Sequence, residues 1–107
     1  MTQGMRMATM LVLAASMAMP AFAAGTGEAD YKAKCATCHG ADGLAATTMG
    51  KMMKITSFKD PAQVKLTDAE LIAATTKGKG TKMPAYDGKL TEAQIKDVVA
   101  YIRTLQK

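Results

Sequence analysis

Hydrophobic residues recur at helical spacing most clearly near the C-terminus. Ile95, Val98, Val99, Ile102 and Leu105 form one apolar stripe. Thr91, with Gln94 three residues on, is a capping box that starts this helix. A second helix is predicted from Thr67, where Glu70 completes the same signature. Leu71, Ile72 and Thr75 give it a partial apolar face, and Gly78 stops it. A short first helix is predicted over Glu28 to Lys34, running directly into Cys35. The stretches Gly40 to Lys54 and Lys77 to Lys89 are rich in glycine and read as loops. No run alternates polar and apolar residues convincingly, so the chain reads as all-α with no sheet of consequence. Long irregular segments in so small a domain suggest that the loops wrap something.

The N-terminal end follows a different pattern. One positive charge in Met1 to Arg6 precedes an apolar or small-residue run from Met7 to Met19, followed by Pro20 and the small-x-small sequence Ala21-Phe22-Ala23. This is the layout of a cleaved secretory leader over residues 1–23, with the cut within one residue of that point. The apolar run is short of the ~20 residues needed to span a bilayer. The leader, if kept, would tether the domain to the membrane; cleaved, it leaves no transmembrane anchor. Residues 24–107 then form one domain.

Removing the leader changes the composition. The formal charge of +5 becomes +4, with thirteen basic against nine acidic side chains, and four methionines remain: Met49, Met52, Met53 and Met83. The charge is too modest to argue for nucleic acid. A domain of this size buries little apolar surface and often needs a covalent or cofactor staple. The only candidates are Cys35 and Cys38.

Cys35-Ala36-Thr37-Cys38-His39 is C-x-x-C-H, the attachment motif of c-type haem. Two thiols at this spacing reach the two vinyl groups of one porphyrin, and the adjacent imidazole lies under the iron. A thioredoxin-like redox pair would need strands around it. A zinc site would lack a fourth ligand, and a disulfide between such close cysteines would be strained. For the second axial position Met83 is the choice, because Pro84 stiffens the turn that presents it. Met49, Met52 and Met53 are rivals. A neutral, soft thioether opposite histidine favours ferrous iron and raises the potential.

These residues resemble a family, the class I c-type cytochromes, especially the small monohaem carriers of bacteria and photosynthetic organisms. The likeness runs from Gly27 to the C-terminus. It is carried by Cys35 to Gly43, by Gly78 to Tyr86 and by Leu90 to Arg103. It implies a small cytochrome c fold whose N- and C-terminal helices cross, with Gly27 and Tyr31 meeting Val98 and Tyr101. Two features depart from the family's pattern. No proline lies between Gly40 and Asp60, so a carbonyl within Ala45 to Gly50 is expected to orient His39. There is no tryptophan, which leaves Lys51, Lys54, Lys82 or Tyr86 to meet the haem propionates.

The expected function is one-electron transfer outside the cytoplasmic membrane, in a periplasm, by a monomer that is not an enzyme. One covalent haem c supplies the iron. Ile55, Phe58, Leu71 and Ile72 are expected to exclude water, and Lys77, Lys79 and Lys82 to steer the protein towards redox partners with acidic docking surfaces. The alternatives are a haem protein with a labile methionine that binds gases or reacts with peroxide, and a cytochrome subunit of a respiratory complex.

Overall fold

A computed structural model describes residues 24–107; the leader expected over residues 1–23 lies outside them. Among the described residues six helices follow one another: α1 (Ala24–Lys34), α2 (Ala36–His39), α3 (Thr48–Met52), α4 (Pro61–Val64), α5 (Asp68–Lys77) and α6 (Glu92–Leu105). Among the described residues there is no strand, only an isolated bridge between Lys79 and Met83. The all-α expectation holds.

The two long helices begin where their caps place them. Thr67 Oγ1 accepts from Glu70 N at 3.1 Å. Thr91 and Gln94 satisfy each other's backbone amides at 3.1 and 2.8 Å, a complete capping box. Gly78, at φ 76°, closes α5. The helix α1 starts four residues before the expected Glu28, so Gly27 is helical rather than linker. The reason is tertiary: α1 packs against α6 more extensively than any other pair of helices meet.

Gly27 is the point of closest approach. A Cβ there would press on the Asp97 carbonyl, with the carbonyl carbon at 2.8 Å. The expected crossing is therefore present, one residue from Val98, and Tyr31 meets Tyr101 with ring centroids 5.2 Å apart. Tyr31, Ile95 and Val98 are the largest side chains sealed completely from solvent. Gly27→Ala forces two backbones apart. At the usual cost of overpacking, about 1–3 kcal/mol, it is expected to lower the denaturation midpoint while leaving the visible spectrum of the pigmented protein unchanged.

The short helices α3 and α4 interrupt segments that read as loops. Thr47 caps α3 by accepting from Gly50 N at 2.9 Å. Asp60 caps α4 by accepting from Ala62 N, and Pro61 fills the first helical position, where no amide donor is required. Arg103 of α6 reaches across to bond the carbonyls of Val64 and Leu66 and the carboxylate of Asp68. It thereby ties the end of α4 and the start of α5 to the C-terminal helix.

Candidate haem-binding site

The backbone stays helical from Tyr31 to His39, since Cys35 N donates to Tyr31 O at 2.8 Å and His39 N to Cys35 O at 3.0 Å. Cys35 and His39 are thus one turn apart on one face. Gly40, at φ 81°, then ends the helix. Two tyrosines pin this segment at its ends. Tyr86 Oη donates to Lys34 O at 3.0 Å, and the buried Tyr31 Oη donates to Gly40 O at 2.6 Å. Thr47 Oγ1 donates to Cys38 O at 2.9 Å.

Met83 is presented by a tight reversal. Lys79 and Met83 exchange both backbone hydrogen bonds, at 3.0 and 3.2 Å. A side chain at Gly78 would strike Met83 O at 2.5 Å, so glycine is required where the reversal leaves α5. Tyr86 N and Asp87 N then donate to Thr75 O and Thr76 O, holding the following strand of loop against α5.

Between these elements lies a cavity of about 360 Å³. Cys35 and His39 line it from one segment and Met83 from another; Cys38 is half-buried and does not line it. Its apolar walls include Ile55, Phe58, Leu66, Leu71, Val98 and Ile102. Exposed Lys54, Lys79 and Lys82 also line it, and Lys82 Nζ donates to Met53 O at 3.1 Å.

The titratable groups suit a haem. Burial holds the His39 pKa below its ordinary value, keeping the imidazole neutral as metal ligation demands. Its Nδ1 is buried without a hydrogen-bond partner. Burial, followed by the charge of Asp30, pushes the Cys35 thiol up to about 11. It is therefore a protonated thiol near neutrality, a poor redox nucleophile or zinc ligand. Cys35 and Cys38 are not bonded to each other. Among the described residues no three His, Cys, Asp or Glu side chains cluster as a metal site. The neutral imidazole, two thiols, thioether and apolar walls fit one covalently attached haem.

A family model described as cytochrome c oxidase, cbb3-type, subunit III matches residues 22–102. Cytochrome c6 of Synechococcus sp. is 32% identical over 96 residues, covering 88% of this chain and 82% of the relative. Cytochrome c-555 of Chlorobaculum tepidum is 41% identical over 87 residues, covering 77% and 76%. The solved structure of the KustC0563 c-type cytochrome superposes with a TM-score of 0.70 at 30% identity, covering 76% of this chain and 98% of that one. The chain belongs to the class I c-type cytochromes.

This cytochrome is an electron carrier, and its cofactor is covalently attached haem c with iron. Its structure refines several sequence expectations. Of the rival methionines only Met53 lines the cavity; Met49 and Met52 are exposed. Ile55, Phe58 and Leu71 line it as expected, whereas Ile72 packs beside the hydrophobic core. Lys79 and Lys82 reach the cavity but Lys77 does not. Of the residues expected to meet the propionates, Lys54 and Lys82 line the cavity. Lys51 is off the cavity, and the Tyr86 hydroxyl is engaged with Lys34.

The carbonyl expected to orient His39 from within Ala45 to Gly50 makes no such bond. Thr47 O accepts from Lys51 N and Gly50 O from Ile55 N, while Nδ1 has no partner. Sequence reasoning also missed the tyrosine ties at Lys34 and Gly40 and the packing of Phe58 on the His39 ring. Only the short spacing of Tyr31 from the attachment motif hinted at any of these.

Proposed function

We propose that this cytochrome is an exported, freely diffusing one-electron carrier with histidine–methionine ligation, working in a periplasm. Cys35 and Cys38 would form the two thioethers, His39 would bind iron from the attachment segment, and Met83 would bind it from the loop after α5. The carrying observation is that Met83, more than forty residues from Cys35 and His39 in sequence, borders the same apolar cavity as they do. When bound, the haem supplies the reversible one-electron couple. The chain's own residues would fill both axial positions, exclude water with Ile55, Phe58 and Leu71, and raise the potential by keeping the charged ferric state poorly solvated.

Residues 1–23 would direct export and be removed. Among the described residues no helix is long and apolar enough to cross a membrane. With no open axial position, the protein would carry electrons without acting as an enzyme. Lys54, Lys79 and Lys82 border the cavity and would draw acidic redox partners by long-range attraction. The gas-binding or peroxide alternative lacks a helper: His39 is the only histidine in the chain, and among the described residues no arginine lines the cavity. The subunit alternative has one observation behind it, the oxidase name of the matching family. Co-purification with a membrane oxidase would favour it.

Spectroelectrochemical titration tests the carrier reading. The expected result is one reversible one-electron wave, low-spin spectra in both states and no carbon monoxide binding on reduction. A high-spin protein that binds carbon monoxide would overturn it.

A further inference from the structure

A histidine that binds a metal normally donates its other ring N–H to a carboxylate or carbonyl, and that bond fixes the ring's rotation. In this cytochrome the buried Nδ1 of His39 lacks such a partner. The flat face of the ring is instead covered. Phe58 stacks on it with centroids 4.5 Å apart and planes inclined by 16°.

Phe58 is itself held on several sides. Its amide donates to Gly43 O at 2.9 Å, and its side chain is 7% exposed. Gly43 sits at φ 76°, and a Cβ there would meet Phe58 Cδ2 at 2.9 Å. Tyr31 packs against it, tilted by 54°, with a centroid separation of 6.4 Å. The glycine thus leaves room for the phenyl ring, and the core fixes its plane.

We propose that Phe58 is a positioning residue that sets the plane of the His39 imidazole, in place of the usual hydrogen bond. The inference rests on the reading of His39 as the iron ligand. Rotating the imidazole about its bond to Cβ would tilt it out of parallel with a phenyl ring that cannot follow. The consequence is spectroscopic as well as structural. The orientation of an axial imidazole's π system decides how unpaired spin is shared among the haem methyl groups of the ferric protein.

The test uses proton NMR of the haem-loaded protein. Phe58→Leu keeps apolar bulk but removes the flat face, and Phe58→Tyr retains the face. Gly43→Ala pushes the phenyl ring without deleting it. The ferric haem-methyl resonances are expected to change in order or spread in Phe58→Leu and Gly43→Ala and to keep the wild-type pattern in Phe58→Tyr. The upfield methionine methyl signal of the reduced protein should persist throughout, reporting an unchanged far-side ligand.

A wild-type methyl pattern in Phe58→Leu would overturn the proposal. So would a change of pattern that comes only with loss of the methionine signal, or an equal change in Phe58→Tyr. If Phe58→Leu fails to take up haem, Gly43→Ala decides by the same criterion. Failure of the underlying reading looks different: wild-type protein would then lack an iron-bound imidazole before any variant is made.

Discussion

Met83→Ala is expected to keep its haem and lose its potential. The thioethers proposed at Cys35 and Cys38 would not depend on the loop after α5, so the pigment should stay attached. Without a soft, neutral sulfur the ferrous state loses its preferential stabilisation. The potential should fall by a substantial share of the roughly 0.8 V range that axial ligands span. The vacated position becomes open to external ligands. A redox titration and the carbon monoxide spectrum of the reduced variant measure both effects. The structure narrows the alternatives, since among the described residues Met53 is the only other methionine lining the cavity. A Met83→Ala protein with native potential and no carbon monoxide binding would transfer the ligand role to Met53.

The paired substitution Cys35→Ala with Cys38→Ala should remove the proposed covalent hold and cost the fold itself. An unfilled cavity destabilises by ~24 cal/mol per Å³, so about 360 Å³ corresponds to roughly 9 kcal/mol. The cavity is partly open to solvent, which makes that figure an upper bound. A domain spanning residues 24–107 has a stability of order 4–13 kcal/mol at the usual 0.05–0.15 kcal/mol per residue. The two quantities are comparable, so the domain without its cofactor should be largely unfolded. Acidified organic solvent should extract any pigment from the double variant and none from wild type. Near-ultraviolet circular dichroism should then show no fixed aromatic packing in the extracted chain. A colourless double variant that melts cooperatively like wild type would refute this dependence.

Much of the architecture was legible because local chemistry announces it. Thr67 and Thr91 mark helix starts through side chains that bond the next turn, and the stripe from Ile95 to Leu105 marks the buried face of α6. The attachment motif was legible for a similar reason: its spacing follows from the porphyrin it serves.

The rest depends on contacts between distant parts of the chain. The first residues of α1 are glycine and small residues with no helical stripe, and they are helical where Gly27 lies against Asp97. Helices α3 and α4 have five and four residues, too few for a period to show. Thr47 and the pair Asp60-Pro61 were readable caps, but Met52 in α3 and Val64 in α4 point apolar side chains into solvent and confuse the pattern. The stacking of Phe58 on His39 joins residues brought together by the Gly43–Phe58 backbone bond, and nothing local encodes it.

The intact mass of the protein recovered after export tests the covalent assignment most directly. The account predicts a single species made of the chain from residue 24 or 25 to Lys107 plus one haem, with no thiol available to alkylation. Protein exported by cells able to attach haem, yet carrying only the polypeptide mass and two reactive thiols, would contradict it.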